Sequence, residues 1–110
     1  MKVKEIVEKL NLKIYSGSNG LEKEISGGYA SDLLSDVMGH ADSKNAWITL
    51  QTHKNVIAIA SLKELSAVII VKGFKPEADT IAQSNEEGIP ILGTEKETFE
   101  ITGLLYNLIK

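Results

Sequence analysis

The stretch AWITLQTHKNVIAIASLKELSAVIIVKGFKPEADTIAQSNEEGIPIL, Ala46 to Leu92, carries the reading of the fold. AVIIV (Ala67 to Val71) is β-branched and apolar at successive positions, the pattern of a strand covered on both faces. AWITL (Ala46 to Leu50) and IPIL (Ile89 to Leu92) read as two more short buried strands. NVIAIASLKEL is an apolar run that fits either strand or buried helix. Its length, its alanines and its LKEL tail favour helix. PEADTIAQSNEEG reads as a helix with Pro76 in the first turn and Gly88 ending it. KETFEITGLLYNLIK then closes the chain as a last helix. Strand and helix alternate three times with short connections, so the strands are expected to be parallel and joined by right-handed crossovers.

Upstream of that stretch, VKEIVEKL places Val3, Ile6, Val7 and Leu10 at helical spacing. LKIYS (Leu12 to Ser16) reads as a strand, and GSNG is turn chemistry. EISGGYAS is a second strand interrupted by Gly27 and Gly28, which permit a bulge or a close backbone approach. SDLLSDVMG reads as a helix with Ser31 or Asp32 as N-cap and Gly39 as its stop. The expected architecture is α/β: one layered domain over residues 1–110, with a mostly parallel sheet of four to five strands flanked by helices.

Bulk composition excludes several classes. The 110 residues are 43% hydrophobic and 25% charged, an ordinary globular balance, with aromatics at only 5%. No cysteine is present, which removes disulfides, thiolate nucleophiles and sulfur-ligated metals together. No long apolar run and no signal peptide are visible, so a cytoplasmic protein without membrane contact is expected. All 12 basic residues are lysine and the net charge is −3. Arginine is the preferred side chain for bidentate recognition of phosphate and guanine, so a nucleic-acid partner is not expected.

In an open parallel sheet, ligands sit at the carboxyl ends of the strands, beside helix N-termini. Three such ends are polar: QTHKN, KGFKP and GTEKET. They supply Thr52, His53, Lys72, Gly73, Lys75, Thr94 and Thr98 as candidate ligand-binding residues. Exposed helix amides and lysine charge favour a small anion there. The plainer alternative is that Thr94 and Thr98 cap the last helix while the lysines are solvated. His40 and His53 are the only histidines, and no nucleophile stands at triad spacing from either. The Ser31–Asp32 and Ser35–Asp36 pairs are explained more cheaply by capping and a solvated helix face. Neither a metal-ligand spacing, a GxxxxGK[ST] loop nor a GxGxxG fingerprint is present, so no metal, cofactor or catalytic residue is expected.

The blocks VKEIVEKLNLKIYSGSNGLEKEISGGYASDLLSDVM, AVIIVKGFKPEADTI and GIPILGTEKETFEITGLLYNLI, in this order and spacing, resemble the DRTGG domain family. They are also similar to the amino-terminal domain of bacterial HPr kinase/phosphorylase. The resemblance implies a small regulatory α/β domain, attached to pyrophosphatases carrying CBS domains or to phosphotransacetylases, or standing alone. It also implies dimerisation and proximity to nucleotide-binding modules. The chain looks most like the stand-alone bacterial kind found near iron hydrogenase components. It departs from the motif behind the family's name: the Asp-Arg and Thr-Gly-Gly positions read Thr52-His53 and Val71-Lys72-Gly73, and only Gly73 matches. Losing Asp-Arg removes a bidentate donor and its carboxylate, whereas Lys72 offers one point charge.

The expected function is a non-enzymatic regulatory or interaction module. It would form a homodimer through the apolar last helix and sense a small anionic or nucleotide-like ligand at the strand ends. Two alternatives stand beside it: a small enzyme using His53 as base, and a ligand-free adaptor docking on a larger, hydrogenase-related protein partner.

Overall fold

The computed structural model describes all residues from 1 to 110. Its helices are α1 (Val3–Lys9), α2 (Leu34–His40), α3 (Asn55–Leu62), α4 (Ala78–Glu87) and α5 (Thr98–Ile109). The strands are β1 (Lys13–Ser16), β2 (Gly27–Ala30), β3 (Asn45–Thr49), β4 (Ala67–Ile70) and β5 (Ile91–Gly93), with a 3₁₀ turn at Ser18–Gly20. They form one five-stranded sheet in the order β1-β5-β4-β3-β2. β2 to β5 are parallel neighbours, and β1 joins β5 antiparallel. The fold is therefore the expected α/β domain with a mostly parallel sheet.

β4 shows why the central stretch reads as it does. Ala67, Ile69 and Val71 pack on one face with Val3 and Ile6 of α1 and Ile101 and Leu105 of α5. Val68 and Ile70 pack on the other with Val37 of α2 and Val56 and Ile57 of α3. Both faces are covered, so the strand has no polar side and no alternation. Each buried aliphatic side chain stabilises the fold by about 1.5–3 kcal/mol. The ambiguous run after Asn55 is a helix because Val56, Ile57, Ile59 and Ala60 all face this second layer.

Successive parallel strands step in one direction across the sheet, and α2 and α3 lie on one face with α4 packed beside α3. Crossovers of a single handedness require that arrangement. α4 turns Thr80 and Ser84 inward rather than a run of large apolar residues. The Ser84 hydroxyl donates to Ile89 O (2.6 Å) and accepts from Ser16 Oγ (2.8 Å), which joins α4 to β1 and to the segment entering β5. That network keeps the buried hydroxyls satisfied.

Three local expectations are corrected and one choice is decided. Of the bulge and the close approach that Gly27 and Gly28 permit, the bulge is absent, since β2 pairs with β3 in unbroken register from Gly27↔Asn45 to Ala30↔Ile48. Their smallness serves the packing of α5: a Cβ on Gly28 would lie 3.2 Å from Leu105 Cδ2. The irregular register occurs in β1, between Ile14 and Ser16. α2 begins after Leu33 rather than Ser31 or Asp32, and runs past Gly39. α4 begins two residues beyond Pro76, after an extended Glu77.

Candidate functional site

Parallel register puts Thr49 of β3, Ile70 of β4 and Gly93 of β5 side by side, so the loops that follow leave the sheet along one edge. Main-chain hydrogen bonds tie those loops together. Glu77 N–H donates to Thr52 O (3.2 Å), Gly73 N–H to Thr94 O (2.9 Å) and Lys72 N–H to Lys96 O (3.0 Å). The Thr80 hydroxyl adds a second bond to Thr52 O (2.9 Å). All three loops that supply the seven candidate residues thus meet on a common rim.

The roles of those residues differ. Thr52 works through its carbonyl, which accepts both bonds from the α4 end. Lys72 and Gly73 form a tight turn in which both residues have positive φ (61° and 72°), closed by Phe74 N–H on Val71 O. Gly73 suits that conformation, while Lys72 adopts it at a cost of about 1 kcal/mol. The Lys72 and Lys75 side chains are exposed. Thr94 folds back on its own loop, its Oγ1 accepting from Lys96 N–H (3.2 Å). Thr98 is the first residue of α5, and the N-cap is Glu97. No side chain caps α4 or α5, so neither threonine does the capping that the plainer reading assigned to them.

His53 is exposed, and its Nδ1 accepts the Asn55 N–H (3.2 Å) at the start of its own helix. No hydroxyl stands within hydrogen-bond reach of it. The ring is engaged by the start of α3, and no nucleophile stands beside it.

Two rim carboxylates were not among the sequence candidates. Glu95 lies across the Lys72–Gly73 turn: a Cβ on Gly73 would sit 2.6 Å from Glu95 Oε1. Asp32, read as a cap, instead grips the end of the neighbouring strand. Its Oδ1 accepts from the Thr49 hydroxyl (2.8 Å) and from Leu50 N–H (2.9 Å), and its carbonyl accepts from Gln51 Nε2. An Asp two residues past the end of a strand could have signalled this contact, but helix capping is the commoner use of the same residue.

A titratable cluster lies farther along β2 and α2. Tyr29 donates its hydroxyl to both oxygens of Asp36 (3.0 Å each), and His40 Nδ1 stands 3.3 Å from Asp36 Oδ1. The Ser31 hydroxyl and then that of Tyr29 hold the Asp36 carboxyl below its usual range. Desolvation, followed by the Asp36 carboxylate, pushes the Tyr29 phenol up. Asp36 is therefore engaged rather than merely solvated. Nowhere do three or more His, Asp or Glu side chains come together so as to hold a metal ion. No helix is long and apolar enough to cross a membrane.

A family model described as the DRTGG domain matches residues 5–108. The chain belongs to the DRTGG domain family. Among solved structures, it is similar to the CBS and DRTGG domains of the regulatory region of Clostridium perfringens pyrophosphatase, complexed with the activator diadenosine tetraphosphate. The TM-score is 0.69 at 12% identity, over 96% of this chain and 45% of that one. At that identity the likeness carries the fold, and this DRTGG domain spans under half of the neighbour's length. Among curated proteins none matches.

Proposed function

We propose that this DRTGG domain is a non-enzymatic regulatory module that receives a small anion or nucleotide on the rim. Thr52, His53, Lys72, Gly73, Lys75, Thr94 and Thr98 would form or frame the site. The observation that carries this reading is the convergence of the three loops. It brings the exposed Lys72 and Lys75 charges to the same edge as the first turns of α4 and α5, which no side chain caps. Uncapped first-turn amides and the positive end of the helix dipole attract an anion, and lysine adds full charge. The similar pyrophosphatase region, a regulatory region in complex with a nucleotide activator, is consistent with the same class of role.

Calorimetric titration with nucleotides and phosphorylated metabolites tests the proposal. Saturable binding should weaken about tenfold in a Lys72→Ala/Lys75→Ala variant, the loss of charge-assisted contacts. Lack of binding by the whole panel would overturn it.

The same reading takes a second copy of the chain against α5. Ile101 and Leu105 face the core, but Phe99, Leu104 and Tyr106 point outward, with Phe99 93% exposed. Light scattering should show a dimer that Phe99→Ser/Tyr106→Ser converts to monomer. A monomeric wild-type chain would leave that apolar face to a protein partner and favour the adaptor reading.

A further inference from the structure

A cavity lies at the opposite end of the sheet from the rim. It has a volume of about 580 Å³ and opens where α3 and α4 end and where the chain enters β3 and β4. That size falls in the range of small-molecule sites, roughly 300–1,000 Å³. Ala60, Leu65 and Ile89 supply its apolar wall, and none of the seven rim residues reaches it.

Lys23, Lys44, Glu64 and Glu87 all line this one cavity, yet none of the four takes part in an ion pair. Glu87 is instead held by the Ser61 hydroxyl (3.2 Å) and the Gln83 amide (3.3 Å). Lys44 and Glu64 both stand in the left-handed region, with φ of 68° and 58°, and Lys44 N–H donates to Glu64 O (2.8 Å). Glycine fits such positions without strain. Here both are occupied by long charged side chains at a cost of about 1 kcal/mol each, and both line the same cavity.

We propose that this cavity is a binding site for a small zwitterion of the α-amino-acid class, with Lys23 and Lys44 taking its carboxylate and Glu64 and Glu87 its ammonium. Lys44, Glu64 and Glu87 are exposed and Lys23 is half-buried, so charges of both signs are free to meet a ligand that carries both. Glu24, the remaining charge of the lining, is already paired with the Met1 amino group. Burial lowers the Lys23 pKa, with Glu87 opposing, and a bound carboxylate would act in the same sense as Glu87. The proposal does not rest on the rim.

Calorimetric titration of the full chain with the common α-amino acids tests it, with matched amines and carboxylates lacking the second charge as controls. Saturable binding of at least one amino acid is expected, with each single-charge control about tenfold weaker or more. Lys44→Gly and Glu64→Gly are the informative variants. Glycine relieves the left-handed strain, so both should melt no lower than wild type while losing binding by about tenfold. Lys72→Ala/Lys75→Ala should leave it unchanged, which separates failure at this cavity from failure at the rim. The proposal is overturned if no amino acid binds at millimolar concentration. Single-charge controls that bind equally well, or glycine variants that bind as wild type, would also overturn it.

Discussion

At the carboxyl end of the sheet, main-chain bonds draw the loops after β3, β4 and β5 into one continuous rim that leaves lysine side chains projecting. At the amino end the chain is also closely knit, but the ends of α3 and α4 leave a cavity lined by unpaired charges of both signs. The position of a site in a parallel fold and the presence of an actual concavity are therefore separate facts here. Topology points to the rim, and side-chain chemistry points to both ends.

Comparing Gly17 at one end with Gly73 at the other, both left-handed, makes the contrast measurable. Gly17 (φ 73°) follows β1 at the amino end, where a Cβ would lie 2.3 Å from Ile89 O and 2.7 Å from Pro90 Cα. Those are backbone atoms of the segment entering β5, and they cannot yield without moving the strand. Gly17→Ala should cost about 3 kcal/mol or more, strain and overlap together, read as a fall in the urea midpoint. Gly73 (φ 72°) at the rim would meet only the carboxylate end of Glu95. Gly73→Ala should cost about 1 kcal/mol, chiefly backbone strain. Equal costs would break the contrast between a rigid amino end and a yielding rim.

Between those two effects lies Asp32, the side chain that fastens the rim to β2. Asp32→Ala removes the acceptor of the buried Thr49 hydroxyl and of Leu50 N–H, and should destabilise by about 1–2 kcal/mol in the same denaturation measurement. Glu95→Gln acts the other way on function. It removes the negative charge lying across the Lys72–Gly73 turn, so anion binding at the rim should tighten by about threefold in calorimetric titration.

The parts of this arrangement that could be read in the sequence are those governed by periodicity. AVIIV declares a strand buried on both faces, and the strand–helix alternation after Ala46 declares parallel order and hence a shared rim. What could not be read depends on distant partners. The edge position of β1 and its antiparallel pairing follow from where the chain returns, not from KIYS itself. Asp32 looks like a cap because its acceptor role depends on Thr49, which lies far along the chain and meets it only after β2 and β3 align. Lys44 and Glu64 carry no local sign of positive φ, since turn chemistry there would have called for glycine or asparagine. The cavity they line is made by helix ends, and no motif marks such a place.

The smallest effect falls only on the amino end, and it depends on pH. Lys4 and Lys2 hydrogen-bond the Glu22 carboxylate and lower its pKa from 4.5 to about 2. Those bonds fasten residues 21–24, which carry Lys23 and Glu24 to the cavity, onto the start of α1. A carboxyl whose folded pKa is depressed contributes stability that is fully present above its ordinary value, 4.5, and is lost as pH falls toward about 2. The group is exposed, so the global melting temperature should shift little. Local protection is the more sensitive readout, because Val3 N–H and Lys4 N–H donate to Lys23 O and Leu21 O across this junction. Hydrogen-exchange protection of those two amides should decline between pH 4.5 and 2 while that of Lys72 and Gly73 at the rim holds. In Glu22→Gln the decline should disappear, since no carboxylate remains to titrate. A parallel loss at both ends would mean that acid acts on the domain as a whole and that Glu22 does not selectively anchor the cavity's edge.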